Sequence, residues 1–238
     1  MKYFLWVNHT YKTEKDKRGN VKMKIIKPRI AEGLENTDDL LKLISQSKID
    51  ESDITYKHIK GVSFSGVDFS DICFKQVIFE NCRLIQCSFD KSTFMDTVFK
   101  CCDLSNSNFS NGYFNRCEFI DIKGMGTNFI ESSIFNVSII DSNLKYSNFD
   151  SVNFDKIAIS QSDLTESLIT QCKLKSSSFN KVQFIGTNFF KTSLKGIDFT
   201  SSQLEGIVIS SEAVELKGAV VNMYQAADLA KMLGVVVK

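Results

Sequence analysis

The stretch GVSFSGVDFSDICFKQVIFENC, Gly61 to Cys82, carries Phe64, Phe69, Phe74 and Phe79, one phenylalanine at every fifth position. No regular element has this period: a helix returns to one face every 3.6 residues and a strand every 2. The register extends far beyond the stretch. Every fifth residue from Ile54 to Ile209, 32 positions in all, is Phe, Leu or Ile, with Gly124 the single exception. Of the 20 phenylalanines, 17 fall on it, and only Phe4, Phe135 and Phe190 lie outside. A second column, two residues earlier, is small or β-branched apart from Lys57 and includes Val62, Val67, Ile72, Cys82, Cys87, Ser92, Cys102 and Ser107. The other three positions of each five are mostly Ser, Asn, Asp, Lys and Gln, the composition of a solvated surface with turn chemistry.

Two inward and three outward positions per five residues cannot be met by a straight strand, whose faces alternate. The chain must turn a corner every five residues. Four corners close a square coil of about 20 residues, and coils stacked at the sheet spacing of about 4.8 Å pair backbone to backbone. Residues 54–211 then make an all-β solenoid of about eight coils, a rod on the order of 38 Å long. Its aromatic columns are formed by centres such as Phe64, Phe69, Phe89, Phe109, Phe129 and Phe149. Gly124 takes the place of a centre, so its coil is underpacked unless Met125 or Phe135 turns inward. Cys82 and Cys102, 20 apart, share a column and read as small core residues that carry a thiol.

On CDLSNSNFSN (Cys102 to Asn111) and LKYSNFDSVNF (Leu144 to Phe154), the chain resembles the pentapeptide-repeat family, whose repeat is written A(D/N)LXX. The pattern covers about two thirds of the sequence. The resemblance implies a right-handed quadrilateral parallel β-helix with short helical caps at both ends. Such a fold does not by itself fix a function.

The segments outside the repeats divide the rest. Residues 1–35 form an N-terminal extension, in which alternation around DKRGN predicts a β-hairpin or a loose arm. Residues 36–53 form a cap with a short helix over NTDDLLKLIS, Asn36 to Ser45. Residues 212–238 follow the solenoid as a C-terminal cap: Asn222 is an N-cap, Ala226, Leu229, Ala230 and Leu233 make an apolar stripe, Gly234 is the stop, and a Val strand comes last. The wording of this tail, Tyr224 included, is similar to the tail of the Qnr-type quinolone-resistance proteins. That resemblance implies a homodimer joined end to end through the helix. It begins only near Met23, so residues 1–22 depart from the family and the start is open between Met1 and Met23.

Composition excludes much else. The 29 basic and 28 acidic residues give no overall pull toward nucleic acid or anionic lipid. No apolar run approaches the roughly 20 residues of a membrane helix, and nothing near the start reads as a secretory signal, so a cytoplasmic protein with seven reduced cysteines is expected. Two histidines, no metal-ligand spacing and no phosphate-cradling loop after a strand leave no catalytic constellation; neither enzyme activity, nor cofactor, nor metal is expected.

Because residues 20 apart share a side, outward charges can be sorted by side. The side centred on Phe69, Phe89, Phe109, Phe129 and Phe149 carries Asp68, Asp71, Asp90, Glu131 and Asp150 against Lys91 and Lys191. The next, centred on Phe74, Phe94 and Phe114, carries Lys75, Arg116, Lys156, Lys173, Lys175 and Lys195 against Asp96 and Asp155. The resemblance implies that the acidic side stands in for duplex phosphates against DNA gyrase or topoisomerase IV, countering quinolone poisoning, with no direct binding of nucleic acid. Two features depart from that pattern: the unbroken register leaves no projecting loops, and the surface lacks strong net negative charge. The rival reading is a scaffold that meets another macromolecule with its basic side.

Overall fold

In the computed structural model, which describes residues 24–237 and the backbone of residues 14–15 and 21–22, five residues make one side of a square coil. The elements are β1 (Glu14–Lys15), β2 (Val21–Lys22), β3 (Glu35–Thr37), α1 (Leu40–Asp50), β4 (Ile54–Lys60), β5 (Ser63–Ser65), β6 (Cys73–Glu80), β7 (Arg83–Ile85), β8 (Thr93–Lys100), β9 (Tyr113–Ile120), β10 (Ser133–Ile140), β11 (Asn153–Ser160), β12 (Lys173–Asn180), a 3-10 turn (Val214–Leu216) and α2 (Met223–Met232). Strands β4, β6 and β8 to β12 stack in parallel at 20-residue steps, with Phe74 on Phe94, Phe94 on Phe114 and Phe114 on Ile134. Each of these seven strands folds over a corner and so supplies two sides, here the first (Phe74) and second (Phe79). The third and fourth sides pair through β5 with β7 and through parallel bridges such as Ser88 to Asn108 to Asn128. Seven long strands mark about seven turns, where eight coils are expected from length alone. Past Asn180 no further long strand forms, because the corner at Gly196 closes as a tight turn with Ile197 N–H on the Leu194 carbonyl at 3.1 Å.

A left-handed residue bends the chain. Two positions after each centre, from Tyr56 to Gly206, φ is positive at every corner but Ser201. Six of these corners are glycine and the others are L-residues near φ +50° to +62°, a conformation that costs about 1–2 kcal/mol for an ordinary side chain and less for Asn or Asp. Hydrogen bonds between coils offset that cost: the corner N–H of Asp71 reaches the Asp90 carbonyl at 2.9 Å, and that of Asn111 reaches Ile130 at 2.8 Å. After the third and fourth sides a turn bond adds to it, as from Ser92 N–H to the Phe89 carbonyl at 3.1 Å, with positive φ at the third residue as in a type II turn.

The centres point inward as the period requires. Phe69, Phe89, Phe109, Phe129 and Phe149 are buried, while Phe64, on the first coil, is half-buried. Phe89, Phe109, Phe129 and Phe149 stack face to face at 4.9, 5.1 and 5.0 Å, and Phe109 tilts against Phe114 of the neighbouring column at 6.1 Å. The Phe149 stack ends where Ile169 succeeds it, and a void of about 10 Å³ is left among Phe149, Phe154, Ile169 and Leu174. At Gly124 the gap is filled from the next coil. Leu144 Cδ2 lies 2.6 Å from where a Cβ would stand, whereas Met125 is exposed and Phe135 packs outside against Tyr113 at 5.6 Å. Neither Met125 nor Phe135 turns inward, and Leu144 takes up the space instead.

The second column is more than small. Its thiols and hydroxyls donate to the carbonyl of the centre 23 residues earlier: Cys82 to Ile59 (3.4 Å), Ser92 to Phe69 (3.2 Å), Cys102 to Phe79 (3.4 Å), Ser107 to Leu84 (2.6 Å) and Thr192 to Ile169 (2.6 Å). Ser, Thr and Cys fit because they fill little volume and satisfy a buried carbonyl. The Asp or Asn before many centres acts locally. Asn108 Oδ1 accepts from Ser110 N–H at 3.2 Å and Asp163 Oδ1 from Thr165 N–H at 2.9 Å, an Asx turn across the centre residue.

The ends depart from the repeat. Helix α1 begins at Leu40, not Asn36, because Glu35–Thr37 pairs with Lys57–Ile59 and Asp39 takes the N-cap, accepting from Lys42 N–H at 3.1 Å. Leu40 and Ile44 are buried against the first coil. Strands β1 and β2 pair antiparallel, Glu14 with Lys22 and Lys15 with Val21; the rest of the extension to residue 23, where the hairpin or arm is expected, lies outside the described residues. Helix α2 has a capping box between Asn222 and Gln225 and closes in a Schellman motif, with Val235 N–H on Ala230 and Gly234 N–H on Lys231, both at 3.0 Å. Of the apolar stripe, Leu229 is buried and Ala230 half-buried, while Ala226, Leu233 and Tyr224 are exposed. The expected Val strand does not form: residues 235–237 follow the Schellman turn into solvent and join no sheet.

Truncation of Phe109 to Ala should lower unfolding free energy in urea titrations by about 3–5 kcal/mol. Gly66→Ala, which meets no atom within 4 Å but sits at φ +68°, should cost about 1–2 kcal/mol from backbone strain alone.

The cysteines offer a second check on the inward register. All seven are free, and only Cys101 is exposed, with Cys73 half-buried. Burial pushes the Cys117 and Cys172 thiols up to about 12. With a chromogenic disulfide reagent, the native protein should react at Cys101 first and Cys73 slowly, and the other five only on unfolding. Fast reaction of more than two thiols would contradict the assigned burial.

Candidate interaction surface

Each outward charge takes its position from the coil. The acidic side is the fourth. Asp68 precedes the Phe69 centre, 3.7 Å from Lys48 Nζ of α1, and the hydroxyl and N–H of Ser70 hold its carboxyl below the usual range. Asp90 accepts Asn111 Nδ2 at 2.9 Å and lies 3.8 Å from Lys91. Asp150 is bound by the hydroxyls of Thr170 and Ser151 and by Gln171, and the Thr170 hydroxyl foremost keeps it ionised below the usual range. Asp71 and Glu131 differ from these three. Both are corner residues, at φ +62° and +58°, exposed, with backbone N–H groups tied to the carbonyls of Asp90 and Asp150 at 2.9 and 3.0 Å. Among the described residues their carboxylates have no partner, and they project into solvent from a fixed backbone.

The basic side, the first, is largely paired within the molecule. Lys75 meets Asp53 at the base of the rod. Arg116 forms a bidentate pair with Asp96, Nε and Nη2 each at 2.6 Å. Burial pushes the Asp96 carboxyl up, but Arg116 and the Arg29 N–H (2.9 Å) more than reverse this and hold it below the usual range. Lys175 pairs with Asp155 at 3.2 Å, and Lys156 is engaged as well. Lys173 and Lys195 are exposed and form no ion pair among the described residues.

The N-terminal arm also occupies this part of the surface, which the sequence does not announce. Ala31 N–H reaches Gln76 Oε1 at 3.1 Å, Arg29 N–H reaches Asp96, and Lys27 lies 3.6 Å from Glu118. These contacts step along successive coils, so residues 27–31 run up the edge between the first and second sides. The edge between the fourth and first sides, with Asp71 and Glu131, carries no such strap in the described residues.

Chemistry of other kinds has little to build on. Among the described residues no three His, Cys, Asp or Glu side chains converge on a metal position, and no helix is long and apolar enough to cross a membrane. His58 lies 3.1 Å from Glu80, which also pairs with Lys60 and Lys100 on the open second side. A groove of about 290 Å³ opens at the C-terminal end between Ile207–Ser211 and Met232–Leu233. Around it Val208, Leu233, Val235, Val236 and Val237 are exposed, and Met223 and Tyr224 stand clear on α2.

Comparison with known proteins agrees with this architecture. A pentapeptide repeat region matches residues 92–169, and pentapeptide repeats match residues 63–100 and 168–206, together running unbroken over more than half of the chain. No curated protein matches the sequence significantly. Among solved structures, a trypsin-treated variant of QnrB1, a plasmid-mediated fluoroquinolone resistance protein, is 25% identical over 76% of this chain and 90% of its own, with a TM-score of 0.52. Full-length QnrB1 is 22% identical over 84% of this chain and 95% of its own, with a TM-score of 0.50. With the repeat present in both sequence and coil, the chain belongs to the pentapeptide-repeat proteins.

Proposed function

We propose that this protein is a non-enzymatic, macromolecule-binding rod that engages the DNA-binding surface of a type II topoisomerase, DNA gyrase or topoisomerase IV, in place of duplex DNA, and thereby protects the enzyme from quinolones. The observation that carries the reading is the contrast in available charge. Among the described residues Asp71 and Glu131 project unpaired from rigid corners, with Asp68, Asp90 and Asp150 beside them, whereas Lys75, Arg116 and Lys175, three of the six cations of the adjacent side, are spent on Asp53, Asp96 and Asp155. A partner lined with Lys and Arg, as a surface that binds DNA must be, is complementary to such a row. The similarity to QnrB1, a fluoroquinolone resistance protein, supports the same direction.

The test is gyrase supercoiling with purified protein, with and without a fluoroquinolone, alongside direct binding to the enzyme. Rescue or inhibition at low micromolar protein is expected, and Asp71→Lys with Glu131→Lys should abolish it. These reversals should leave the fold intact, since lysine already occupies equivalent left-handed corners at Lys91, Lys156, Lys181 and Lys191. Absence of binding at tens of micromolar would overturn the proposal. Salt-sensitive retention of duplex DNA would instead direct attention to Lys173 and Lys195.

The same reading includes a homodimer joined at the C-terminal ends. Its support is the exposed apolar rim of Met223, Tyr224, Leu233 and Val235 to Val237 around the groove, more than a single end normally leaves bare. Sedimentation should give twice the 26.9 kDa chain mass, and Leu233→Asp with Val236→Asp should give monomers of unchanged melting temperature. A monomeric wild-type protein would refute the dimer without touching the acidic side.

A further inference from the structure

The repeat stops after the last coil, yet several backbone groups that a further coil would bind are answered by the C-terminal segment: Leu194 N–H reaches the Glu215 carbonyl at 2.9 Å, Gly196 N–H that of Gly218 at 2.8 Å and Phe199 N–H that of Val220 at 2.9 Å. At each corner after the fourth side, the N–H donates to a carbonyl 19 residues on: Asp71 to Asp90, Lys91 to Ser110, Asn111 to Ile130, and so on to Gln171 with Phe190. Lys191 breaks the series. Its N–H goes to Glu215 Oε1 at 2.9 Å, where the carbonyl of Ser210 would be expected. The other carboxylate oxygen takes the Ser210 hydroxyl at 2.8 Å and its N–H at 3.3 Å. Glu215 is 2% exposed, a burial that a carboxylate tolerates only when its oxygens are bonded in this way.

A complementary substitution occurs on the carbonyl side. The inward residue before the third side normally receives an N–H from 21 residues on, as Cys82 does from Asp103 and Val182 from Gln203. The centre carbonyl of the second side receives a thiol from 23 residues on, as Ile59 does from Cys82 and Phe79 from Cys102. For Ser202 and Phe199 the residues at those spacings, Met223 and Asn222, are the first residue of α2 and its N-cap. Both carbonyls are met by Gln225 Nε2, at 2.7 and 2.9 Å. Its Oε1 accepts the Asn222 N–H at 2.8 Å, which fixes the amide orientation within the capping box.

We infer that Glu215 and Gln225 form a side-chain end-stop, a carboxylate replacing the carbonyl of the absent coil and a primary amide replacing its donors, which withdraws the Lys191 and Ser210 N–H groups and the Phe199 and Ser202 carbonyls from a strand of another molecule. Unpaired strand edges recruit further strands, and a solenoid offers one at each end. With these groups answered internally, a strand of another molecule has fewer backbone partners at this end. The inference does not depend on any topoisomerase partner.

Amide-resolved hydrogen exchange and sedimentation velocity test it. In Glu215→Ala, the Lys191 and Ser210 amides should exchange about tenfold faster or more, while Glu215→Gln, which keeps an acceptor, should retain the protection of Lys191. The double variant Glu215→Ala with Gln225→Leu should sediment as larger, concentration-dependent species. If Glu215→Ala fails to fold, Gln225→Leu, similar in volume and far from Glu215 in role, carries the sedimentation measurement alone. Unchanged exchange at Lys191, or a folded double variant that sediments as wild type, would overturn the inference.

Discussion

Everything in this rod depends on backbone pairing between residues 20 apart. That ladder holds β4 to β12 in register and supplies the hydrogen bonds that offset a left-handed residue at nearly every corner. It also places like on like: Phe89 over Phe109 over Phe129, and Asn108 over Asn128 over Asn148. A one-residue slip would turn the aromatic centres outward and the polar positions inward, at a cost no local adjustment repairs. The register is therefore unbroken from Ile54 to Ile209, and even the missing centre at Gly124 is absorbed by Leu144 without a shift.

The period and the inward columns were legible because phenylalanine marks them so densely. The need for a corner was legible too, but not the left-handed residue that makes it. Of the eight glycines between residues 54 and 209, six (Gly61, Gly66, Gly126, Gly186, Gly196 and Gly206) share the corner register, and all six have positive φ. Nothing read from the sequence rested on this register, and the left-handed corner came from the geometry. The donor role of Cys82, Ser92 and Thr192 was harder to see, because size alone already accounts for small residues in a core, and only the geometry shows which carbonyl each one meets.

What the sequence could not supply lies where residues occur once. Sorting charges by side places Lys75, Arg116 and Lys175 together correctly, yet it does not reveal that each is held by a carboxylate, Asp53 from below the first coil and Asp96 and Asp155 from the basic side itself. The arm over Gln76, Asp96 and Glu118, the plug at Glu215 and the amide of Gln225 are single events with no repeat to average over. Periodicity specifies a fold by redundancy, and it is silent about ends and about pairings that occur once.

The same asymmetry separates stability from recognition. Centres and small columns are constrained from all sides, so their identities report packing. Corner side chains project outward, and the left-handed backbone accepts Asp, Glu, Lys, Asn, Tyr and Ser at comparable φ. Corners are thus the positions where charge can change with little consequence for the coil, and where a charge is also presented most rigidly, since the ladder fixes its backbone. A carboxylate on a mobile loop loses entropy when it meets a cationic partner. One at Asp71 or Glu131 has lost its backbone share already, so more of its Coulombic attraction survives as affinity. A rod that binds through its corners combines tolerance to substitution with preorganisation, and for this reason the unpaired corner carboxylates weigh more than the greater number of cations on the paired side.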